Sequence, residues 1–458
     1  MSGIPARYGR WGPILAPFIV IALILHFLSG NFGSNSPKHP VPTGTQATAA
    51  AATPSAENQT APATETTPAC PQLKGMDDVL VVLKTGITES QEKVPVHLRT
   101  TLRCIPHKVV VSDFEEDIGG LRTLDVFHNM SESIKQNNED FALYLRARDG
   151  GRDALLAQDH TKVANSASGM SDNPGWKLDK WKFLPMIHTV RHARPDARWY
   201  VFIEADTYPI WPNLLGWLSH WNPEDKLYLG NQMQIGDITF AHGGSGFVLS
   251  NPALNAVADM HAKNLKEWDQ ITEEQWAGDC VLGMALTKVG IDLTWSSPHV
   301  TTQSVWEQDA FGDAWCHPPF TFHHMTPADV DRMWEFEQQW FSNEKHKHLL
   351  YRDIFRHLVR PTLADYLNNW DNKADRGDDQ DEYEGPETPA SLVECADYCA
   401  GDTNCMQYRL DGNGRCTTSP IILRGTPEPG MKSGNMMWRV DAAIENAAKC
   451  KKAHWVRP

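Results

Sequence analysis

The chain has 458 residues, enough for roughly two to four domains and for a large hydrophobic core. Its 42 lysines and arginines are outnumbered by 57 aspartates and glutamates, so its formal net charge is −15. A protein whose main task is to hold nucleic acid needs a basic face, and this charge balance therefore argues against that class. A few local cations would still suffice for a small anionic ligand.

The first apolar segment, residues 13–28, is about as long as the shortest run that can cross a bilayer. It carries no formal charge, and Arg7 and Arg10 precede it. Positive residues before the span predict a cytosolic tail over residues 1–12 and an uncleaved transmembrane signal anchor over residues 13–29. A cleaved signal peptide is the alternative, although no A-x-A-like cleavage site follows closely. Either interpretation predicts that the rest of the chain is lumenal.

Residues 30–75 form the next predicted unit, a flexible stem. Between Pro37 and Ala69 the composition is dominated by Pro, Thr, Ala and Ser, without an aromatic residue. Such a segment has too little apolar surface to offset the entropy lost on folding, and it is typical of an extended, O-glycosylated stalk. N-glycosylation sequons begin at Asn58 and, further along the chain, at Asn129.

Residues 76–360 alternate short β-rich runs with helical patterns. The β-rich runs are continuously apolar, which is typical of strands covered on both faces, as in a mostly parallel sheet. This order predicts an α/β fold with an open sheet that binds ligands at the carboxyl ends of its strands. The predicted strands are 78–84, 108–113, 199–203, 226–230 and 247–250, and the predicted helices are 178–192, 213–220, 252–268 and 279–289.

Carboxylates stand at two positions where chemistry is expected. Glu204 and Asp206 follow a predicted strand, where a carboxylate can hold a divalent ion that bridges the phosphates of a nucleotide sugar. An acidic strand end facing solvent is the alternative. Asp279 stands at a helix start, where it is either a general base for an acceptor hydroxyl or an N-terminal cap.

Three further motifs have a functional and a structural interpretation. The loop His242-Gly-Gly-Ser-Gly246 either lies against a ligand or forms an ordinary turn, and it lacks the pattern of a Walker loop. His323 and His324 follow a β-rich pair, and because neighbours on a strand point to opposite faces, we expect only one of them to bind a metal. The segment 176–183 mixes lysines with tryptophans, so it either holds a diphosphate, stacks a sugar, or begins an amphipathic helix.

Taken in chain order, these stretches resemble glycosyltransferase family 31, the group of Fringe and the core 1 β1,3-galactosyltransferase. The resemblance covers roughly residues 77–337 and implies a GT-A fold, an inverting mechanism, a UDP-sugar donor and Mn²⁺ or another divalent cation. It implies that Asp206 and His323 bind the metal and that Asp279 activates the acceptor. Ala205 and Gly278 depart from the family's usual acidic residues.

Further site residues follow from the same comparison and, for Lys182, from the basic and aromatic segment 176–183. In the family, a glycine loop of this kind lies against the donor or the acceptor. Thr85 and Gly86 after the first predicted strand, and Asp113 at the end of the second, match loosely the positions where the family holds the nucleotide. The donor-binding candidates are Thr85, Gly86, Asp113, Lys182, Glu204 and Asp206, and the loop candidates are Gly243, Gly244 and Gly246.

The resemblance implies a β1,3-type hexosyltransferase that uses UDP-galactose, UDP-N-acetylhexosamine or UDP-glucose and a glycan or glycoprotein acceptor. Together with the predicted anchor and stem, the resemblance implies a single-pass type II protein of the Golgi membrane. Whether the protein forms a dimer is left open. The alternative is a catalytically inactive lumenal protein that binds carbohydrate or protein.

The end of the chain predicts an acidic linker over residues 361–388 and a cysteine-rich α+β module over residues 389–458. Clustered cysteines indicate a small disulfide-bonded unit, and the absence of a C-x-x-C pair argues against a zinc ribbon. Their pairing is left open, and an odd total leaves at least one thiol free or bound to another chain. The C-x3-C-x5-C run resembles a PAN/Apple domain, which implies a protein or carbohydrate ligand; a purely structural extension is the alternative. The clustered cysteines are Cys395, Cys399, Cys405, Cys416 and Cys450.

Overall fold

A computed structural model describes residues 70–160, 173–309, 311–374, 391–447 and 449–456. The predicted cytosolic tail, the anchor and nearly all of the stem lie outside the described residues. Within the described ranges, no helix has both the length and the apolar character that a membrane span requires.

The main sheet has seven strands in the order β12-β8-β11-β6-β1-β2-β5. It is mixed, because β11 runs antiparallel to both of its neighbours while the other pairs are parallel. The predicted α/β class with an open, mixed sheet flanked by helices is therefore confirmed. The strands are β1 Val79–Lys84, β2 Lys108–Ser112, β3 Asp117–Ile118, β4 Leu121–Arg122, β5 Leu124–Asp125, β6 Trp199–Glu204, β7 Tyr208–Pro209, β8 Tyr228–Gly230, β9 Gln232–Ile235, β10 Ile238–Ala241, β11 Phe247–Ser250, β12 Leu293–Trp295, β13 Thr321–Phe322, β14 Leu367–Asp371, β15 Gln407–Leu410, β16 Cys416–Ser419 and β17 Thr426–Asn435.

The central strands β1 and β6 are apolar up to their last residues, Lys84 and Glu204, since helices cover both faces of the sheet. Alternate residues of β1 and β6 enter two separate cores: Val82 and Phe202 pack on one face, Val81 and Val201 on the other. The helices are α1 Ser90–Arg99, α2 Glu132–Asn137, α3 Ala142–Gly150, α4 Pro174–Asp179, α5 Phe183–Ala193, α6 Trp211–Leu218, α7 Asn251–Lys263, α8 Leu265–Glu274, α9 Gly278–Lys288, α10 Pro327–Phe341, α11 Tyr351–Ile354, α12 Leu392–Gly401 and α13 Met437–Asn446.

Two predicted helices are each divided in the structure. The helix predicted over 178–192 is interrupted at residues 180–182, where Trp181 is buried against Phe141 and Lys182 forms a buried ion pair. The helix predicted over 252–268 is interrupted at Asn264, whose φ of −133° is not helical. Tertiary contacts in the first case and a favourable helix-ending residue in the second prevail over the helical periodicity.

The C-terminal part forms its own four-stranded sheet in the order β14-β17-β15-β16, with α12 packed against it. Its first strand, β14, lies inside the predicted linker, so the segment 367–371 is sheet rather than linker; Trp370 also donates to the carbonyl of Arg424 at 2.6 Å. Residues 375–388 of that predicted linker lie outside the described residues.

Disulfides attach α12 to the C-terminal sheet and connect the end of the chain to the main domain. Two bonds lie within the C-terminal part, a third links the main domain to the segment after α13, and a fourth lies at the start of the described chain. Cys280 is free and buried. The four bonds are Cys395–Cys416, Cys399–Cys405, Cys316–Cys450 and Cys70–Cys104.

Candidate active site

The carboxyl ends of β1, β2 and β6 border one cavity of about 840 Å³. The glycine loop before β11, the start of α9 and the turn after β13 complete its wall. Among the sequence candidates, Thr85, Gly243 and Gly246 stand next to the cavity lining rather than in it. The candidates that line it are Gly86, Asp113, Lys182, Glu204, Asp206, Gly244, Asp279 and His323.

The pairing of β7 with β13 brings His323 to Asp206. Phe322 stands opposite Tyr208 in this antiparallel pair, so the residue after β13 reaches the residues before β7. His323 Nε2 lies 3.3 Å from Asp206 Oδ1. Lys93 Nζ, on α1, donates to the other carboxylate oxygen, Oδ2, at 3.0 Å.

These contacts control the charge of Asp206. Burial disfavours its ionised form, but the His323 imidazole and the Lys93 ammonium outweigh burial and hold the pKa of Asp206 well below its ordinary value. Burial likewise disfavours the charged form of His323, but Asp206 outweighs it and raises the pKa of His323. Each side chain therefore favours the charged form of the other.

His324 also lies at this place, so the two histidines do not point to opposite faces as strand alternation predicted. Strand β13 ends at Phe322, so the alternation of a strand does not extend to the two histidines. His324 has a positive φ of 57°, and its ring stacks on that of His323 with centroids 3.8 Å apart.

The side chains of Asp206, His323 and His324 fit a divalent cation. Each offers one ligand atom, and these atoms all lie within 4.8 Å of one another. His323 Nδ1 is buried without a hydrogen-bond partner in the part of the chain that the structure describes. Imidazole nitrogen with carboxylate oxygen suits transition-metal dications, whose binding to His323 would require loss of its proton.

Lys84 fixes two carboxylates at the edge of the sheet. The parallel register pairs Lys84 with Glu204, and Lys84 Nζ lies 3.0 Å from Glu204 Oε1 and 2.5 Å from Asp179 Oδ2. Burial disfavours the ammonium of Lys84, but these carboxylates outweigh burial, so its pKa lies above its ordinary value. Burial raises the pKa of Glu204, which Lys84 only partly offsets.

Four of the predicted donor-binding residues meet beside this group. Lys182 Nζ lies 2.9 Å from Asp113 Oδ2 and donates to the Thr85 carbonyl at 2.9 Å. The other oxygen of Asp113 accepts from the Ile87 N–H at 2.8 Å. A Cβ on Gly86 would stand 3.0 Å from both Asp113 Oδ2 and Lys182 Nζ, so the absence of a side chain at Gly86 relieves this contact.

The glycine loop packs against neighbouring side chains that a side chain on the loop itself would displace. A Cβ on Gly244 would stand 2.3 Å from the His323 ring, and a Cβ on Gly243 would stand 2.9 Å from Phe183. Gly246 has a φ of +83°, which L residues rarely adopt. The loop therefore allows its backbone to approach the site closely.

Asp279 is not the cap of its helix, which was the structural alternative for this residue. Helix α9 begins at Gly278 with Ala277 as its N-cap, and Asp279 Oδ2 accepts from the Gly243 N–H at 2.8 Å. Its Oδ1 accepts from the Cys280 N–H at 2.9 Å. Burial raises the pKa of Asp279 to about 6, an effect that these hydrogen bonds partly offset.

Each departure from the family pattern has a reason in the structure: the cost of a buried charge at Ala205 and a steric clash at Gly278. Ala205 is 2% exposed and packs in the apolar core on the α1 and α6 side of the sheet, where a carboxylate would be costly. A Cβ on Gly278 would stand 2.4 Å from Phe183 and 2.5 Å from the Lys180 carbonyl.

The sequence reasoning missed Lys84, Lys93 and Asp179 as members of this site. Lys84 could have been found, because it is a charged residue at the end of an otherwise apolar strand. Lys93 reaches Asp206 across 113 residues of chain, and no local pattern indicates such a contact.

Residues 179–327 match the family model described as Fringe-like. The matched segment contains Asp206, the glycine loop, Asp279 and His323, and it does not include Asp113 or the C-terminal sheet. The sequence resemblance to glycosyltransferase family 31 is supported over this segment. The match therefore supports a Fringe-like glycosyltransferase domain in this part of the chain.

Proposed function

We propose that the protein is an inverting hexosyltransferase that moves a hexose from a UDP-sugar to a hydroxyl group of a glycan or glycoprotein. One observation carries this proposal: Asp279 and the Asp206–His323 pair face the same cavity. The Fringe-like match supports the glycosyltransferase part of it. UDP-galactose, UDP-N-acetylhexosamine or UDP-glucose is the proposed donor, and β1,3 is the proposed linkage.

Asp279 is the proposed general base. A pKa of about 6 leaves its carboxylate mostly ionised near neutral pH, yet with more affinity for a proton than an ordinary aspartate has. The N–H groups of Gly243 and Cys280 fix both carboxylate oxygens. Asp279 takes the proton of the acceptor hydroxyl while its oxygen forms a bond to the anomeric carbon. The bond from that carbon to UDP breaks on the opposite side, which inverts the configuration.

The strand ends that border the same cavity as Asp279 are proposed to hold the donor. Gly86, Asp113 and Lys182 form the nucleotide side, and Lys84 and Lys93 add positive charge beside Glu204 and Asp206. Asp206 and His323 would hold a divalent cation such as Mn²⁺, which would supply further positive charge for the departing diphosphate. The lysines and the glycine loop orient the donor towards Asp279.

The test uses the purified full-length protein. It is incubated with each of the three UDP-sugars and Mn²⁺, and release of UDP is measured with and without a panel of glycan acceptors. UDP binding is measured separately by calorimetry. Release of UDP from one sugar, increased by an acceptor, is the expected result. A folded protein that neither releases UDP nor binds it would favour the alternative, an inactive carbohydrate- or protein-binding protein.

We also propose that the protein is a single-pass type II protein of the Golgi membrane, because an apolar run after Arg7 and Arg10 predicts an anchor. Asn129 is exposed, so its sequon is accessible to glycosylation. Co-localisation with a Golgi marker, and protection of an epitope tag at the C-terminus from protease in sealed microsomes, would test this topology. The PAN/Apple-like identity of the tail, its ligand and a dimer stay predictions.

A further inference from the structure

The last described segment of the chain, residues 449–456, packs against the domain that holds the site. A disulfide joins its Cys450 to Cys316, on the approach to β13. The ring of Trp455 stacks on that of Phe320, with centroids 6.0 Å apart and planes inclined by 24°. The segment therefore lies against the residues that come just before β13 and its metal-site histidine.

The peptide groups of Val456 are held by two buried aromatic side chains. Trp217 Nε1, on α6, donates to the Val456 carbonyl at 2.6 Å. The Val456 N–H donates to His299 Nε2 at 2.8 Å, and His299 Nδ1 donates in turn to the Pro318 carbonyl at 2.7 Å. Both rings are almost fully buried, and a buried ring nitrogen is costly to leave unpaired. Val456 therefore satisfies one such nitrogen on each ring.

His299 accepts this hydrogen bond as a neutral imidazole that carries its proton on Nδ1. Burial lowers the pKa of His299 to about 3, with a smaller contribution from His317, although the hydrogen bond to the Pro318 carbonyl raises it in part. The ring is therefore neutral near neutral pH, and its Nε2 has a lone pair for the Val456 N–H. The contact between the segment and His299 is thus present at physiological pH.

The backbone of His299 is connected to the backbone that carries His323. The Phe320 N–H donates to the His299 carbonyl at 2.6 Å, and the two rings stack with centroids 4.4 Å apart. The His323 N–H donates to the Gln303 carbonyl at 3.1 Å, and a parallel β-bridge lies between these two contacts. These paired backbones form one unit, whose far end holds His323 Nε2 3.3 Å from Asp206 Oδ1.

We infer that Trp455 and Val456 are positioning residues for the metal end of the site, because by holding His299 they keep His323 beside Asp206. This inference rests on the cation site of the proposed function. Neither residue lines the cavity, so their effect passes through the paired backbones rather than through contact with a substrate. The competing use of the segment is to cover the apolar core beside α6, which would affect stability alone.

The experiment compares Trp455→Ala and Trp217→Phe with the unmodified full-length protein. The first variant loses the ring that anchors the segment, and the second keeps an aromatic ring on α6 but cannot donate to the Val456 carbonyl. Titration with Mn²⁺ followed by EPR, in which the free ion gives the sharp signal, measures cation binding without UDP or turnover. The Kd for Mn²⁺ is expected to rise about five- to tenfold in each variant. Trp455→Phe should recover most of this loss, and Trp438→Ala, at a position that is 65% exposed, is the matched control.

Hydrogen exchange measured by mass spectrometry on peptides that span residues 318–325 gives a readout that needs no cation. Exchange in this stretch is expected to be faster in both variants, with exchange over β1 unchanged and the fold intact by circular dichroism. A general loss of stability would accelerate exchange in β1 as well. If Trp455→Ala does not fold, Trp217→Phe supplies both readouts.

The two readouts separate this inference from the proposed function. Faster exchange over residues 318–325 together with weaker Mn²⁺ binding supports the inference even if no UDP-sugar is used, in which case the proposed function alone fails. If the unmodified protein binds no Mn²⁺, the exchange result alone decides whether the segment positions His323. Unchanged exchange over residues 318–325 would overturn the inference, as would an unchanged Kd for Mn²⁺ in variants that are only less stable to urea.

Discussion

The side chain of Asp279 is tied to the backbone of Gly243 by a hydrogen bond of 2.8 Å that spans 36 residues. Through this bond the start of α9 and the glycine loop hold the proposed base in place. A Cβ on Gly243 would also stand 3.2 Å from Glu204 Oε1, so the same loop borders the donor-side carboxylates. The position of the base and the shape of the donor side therefore depend on one segment.

Replacing Asp279 with asparagine is expected to reduce transfer by at least about a hundredfold, because the amide cannot accept the acceptor proton. Asparagine has nearly the same shape, and its oxygen can still accept from the Gly243 N–H, although its NH2 group cannot accept from the Cys280 N–H. UDP affinity, measured by calorimetry, is therefore expected to persist. Asp269→Asn is the matched control, because Asp269 also has a pKa raised by burial to about 6 and lies outside the cavity lining. Transfer at an unchanged rate in the Asp279 variant would exclude Asp279 as the base.

The transfer rate is expected to depend on pH through the same group. Burial raises the pKa of Asp279 to about 6, and the base acts only when it is deprotonated. The rate constant at subsaturating acceptor should therefore fall about tenfold for each pH unit below about 6 and level off above it. Initial rates between pH 4.5 and pH 8 measure this profile, and Asp269→Asn should leave its midpoint in place. A rate that is flat across pH 6 would contradict the assignment.

Gly244→Ala is expected to weaken Mn²⁺-dependent UDP binding at least about tenfold. The added Cβ would stand 2.3 Å from the His323 ring, so the imidazole must leave its place beside Asp206. Calorimetric titration of UDP with and without Mn²⁺ measures the effect, and circular dichroism checks that the variant is folded. Gly412→Ala provides the control, because a Cβ on Gly412 meets nothing within 4 Å. Equal Mn²⁺ dependence in the Gly244 variant and the parent protein would argue against His323 as a ligand.

The sequence predicted the parts of the fold and site that depend on local pattern. Continuous apolar runs located β1, β2 and β6, and their polar ends located Asp113 and Asp206. The break between α4 and α5 was not predictable in this way, because the side chain of Lys182 pairs with Asp113, 69 residues earlier in the chain and just after β2. The sheet position of β14 depends similarly on pairing with a strand far along the chain.

In the candidate site, too, local patterns were predictable and contacts between distant parts of the chain were not. Asp279 was found because it stands at a helix start, but its hydrogen bond to the Gly243 N–H spans 36 residues and leaves no local signal in the sequence. Both histidines near Asp206 were expected to obey strand alternation, and the early end of β13 removed that constraint. Residues that act across the fold, such as Lys93, give no local signal.

A buried acid outside the site should make the stability of the protein depend on pH. Glu337 on α10 is 4% exposed, and its Oε2 accepts a hydrogen bond from the Tyr208 hydroxyl at 2.5 Å. Burial raises the pKa of Glu337 to about 8 against an ordinary value of 4.5, although the Tyr208 hydrogen bond lowers it in part. Between these two values the folded state binds more protons than the unfolded state, so the free energy of unfolding should decrease as pH rises.

Glu337→Gln should remove that dependence, because glutamine keeps an acceptor for Tyr208 and does not ionise. The free energy of unfolding of the variant minus that of the parent protein should be about 2 kcal/mol higher at pH 7.5 than at pH 5.5. Urea unfolding at the two pH values measures the difference. Glu335→Gln, at an exposed position of the same helix, should show no such gain. If the stability of the two variants depends on pH alike, Glu337 is ionised in the folded protein. Its pKa is then not raised by burial, and it does not contribute to the pH dependence of stability.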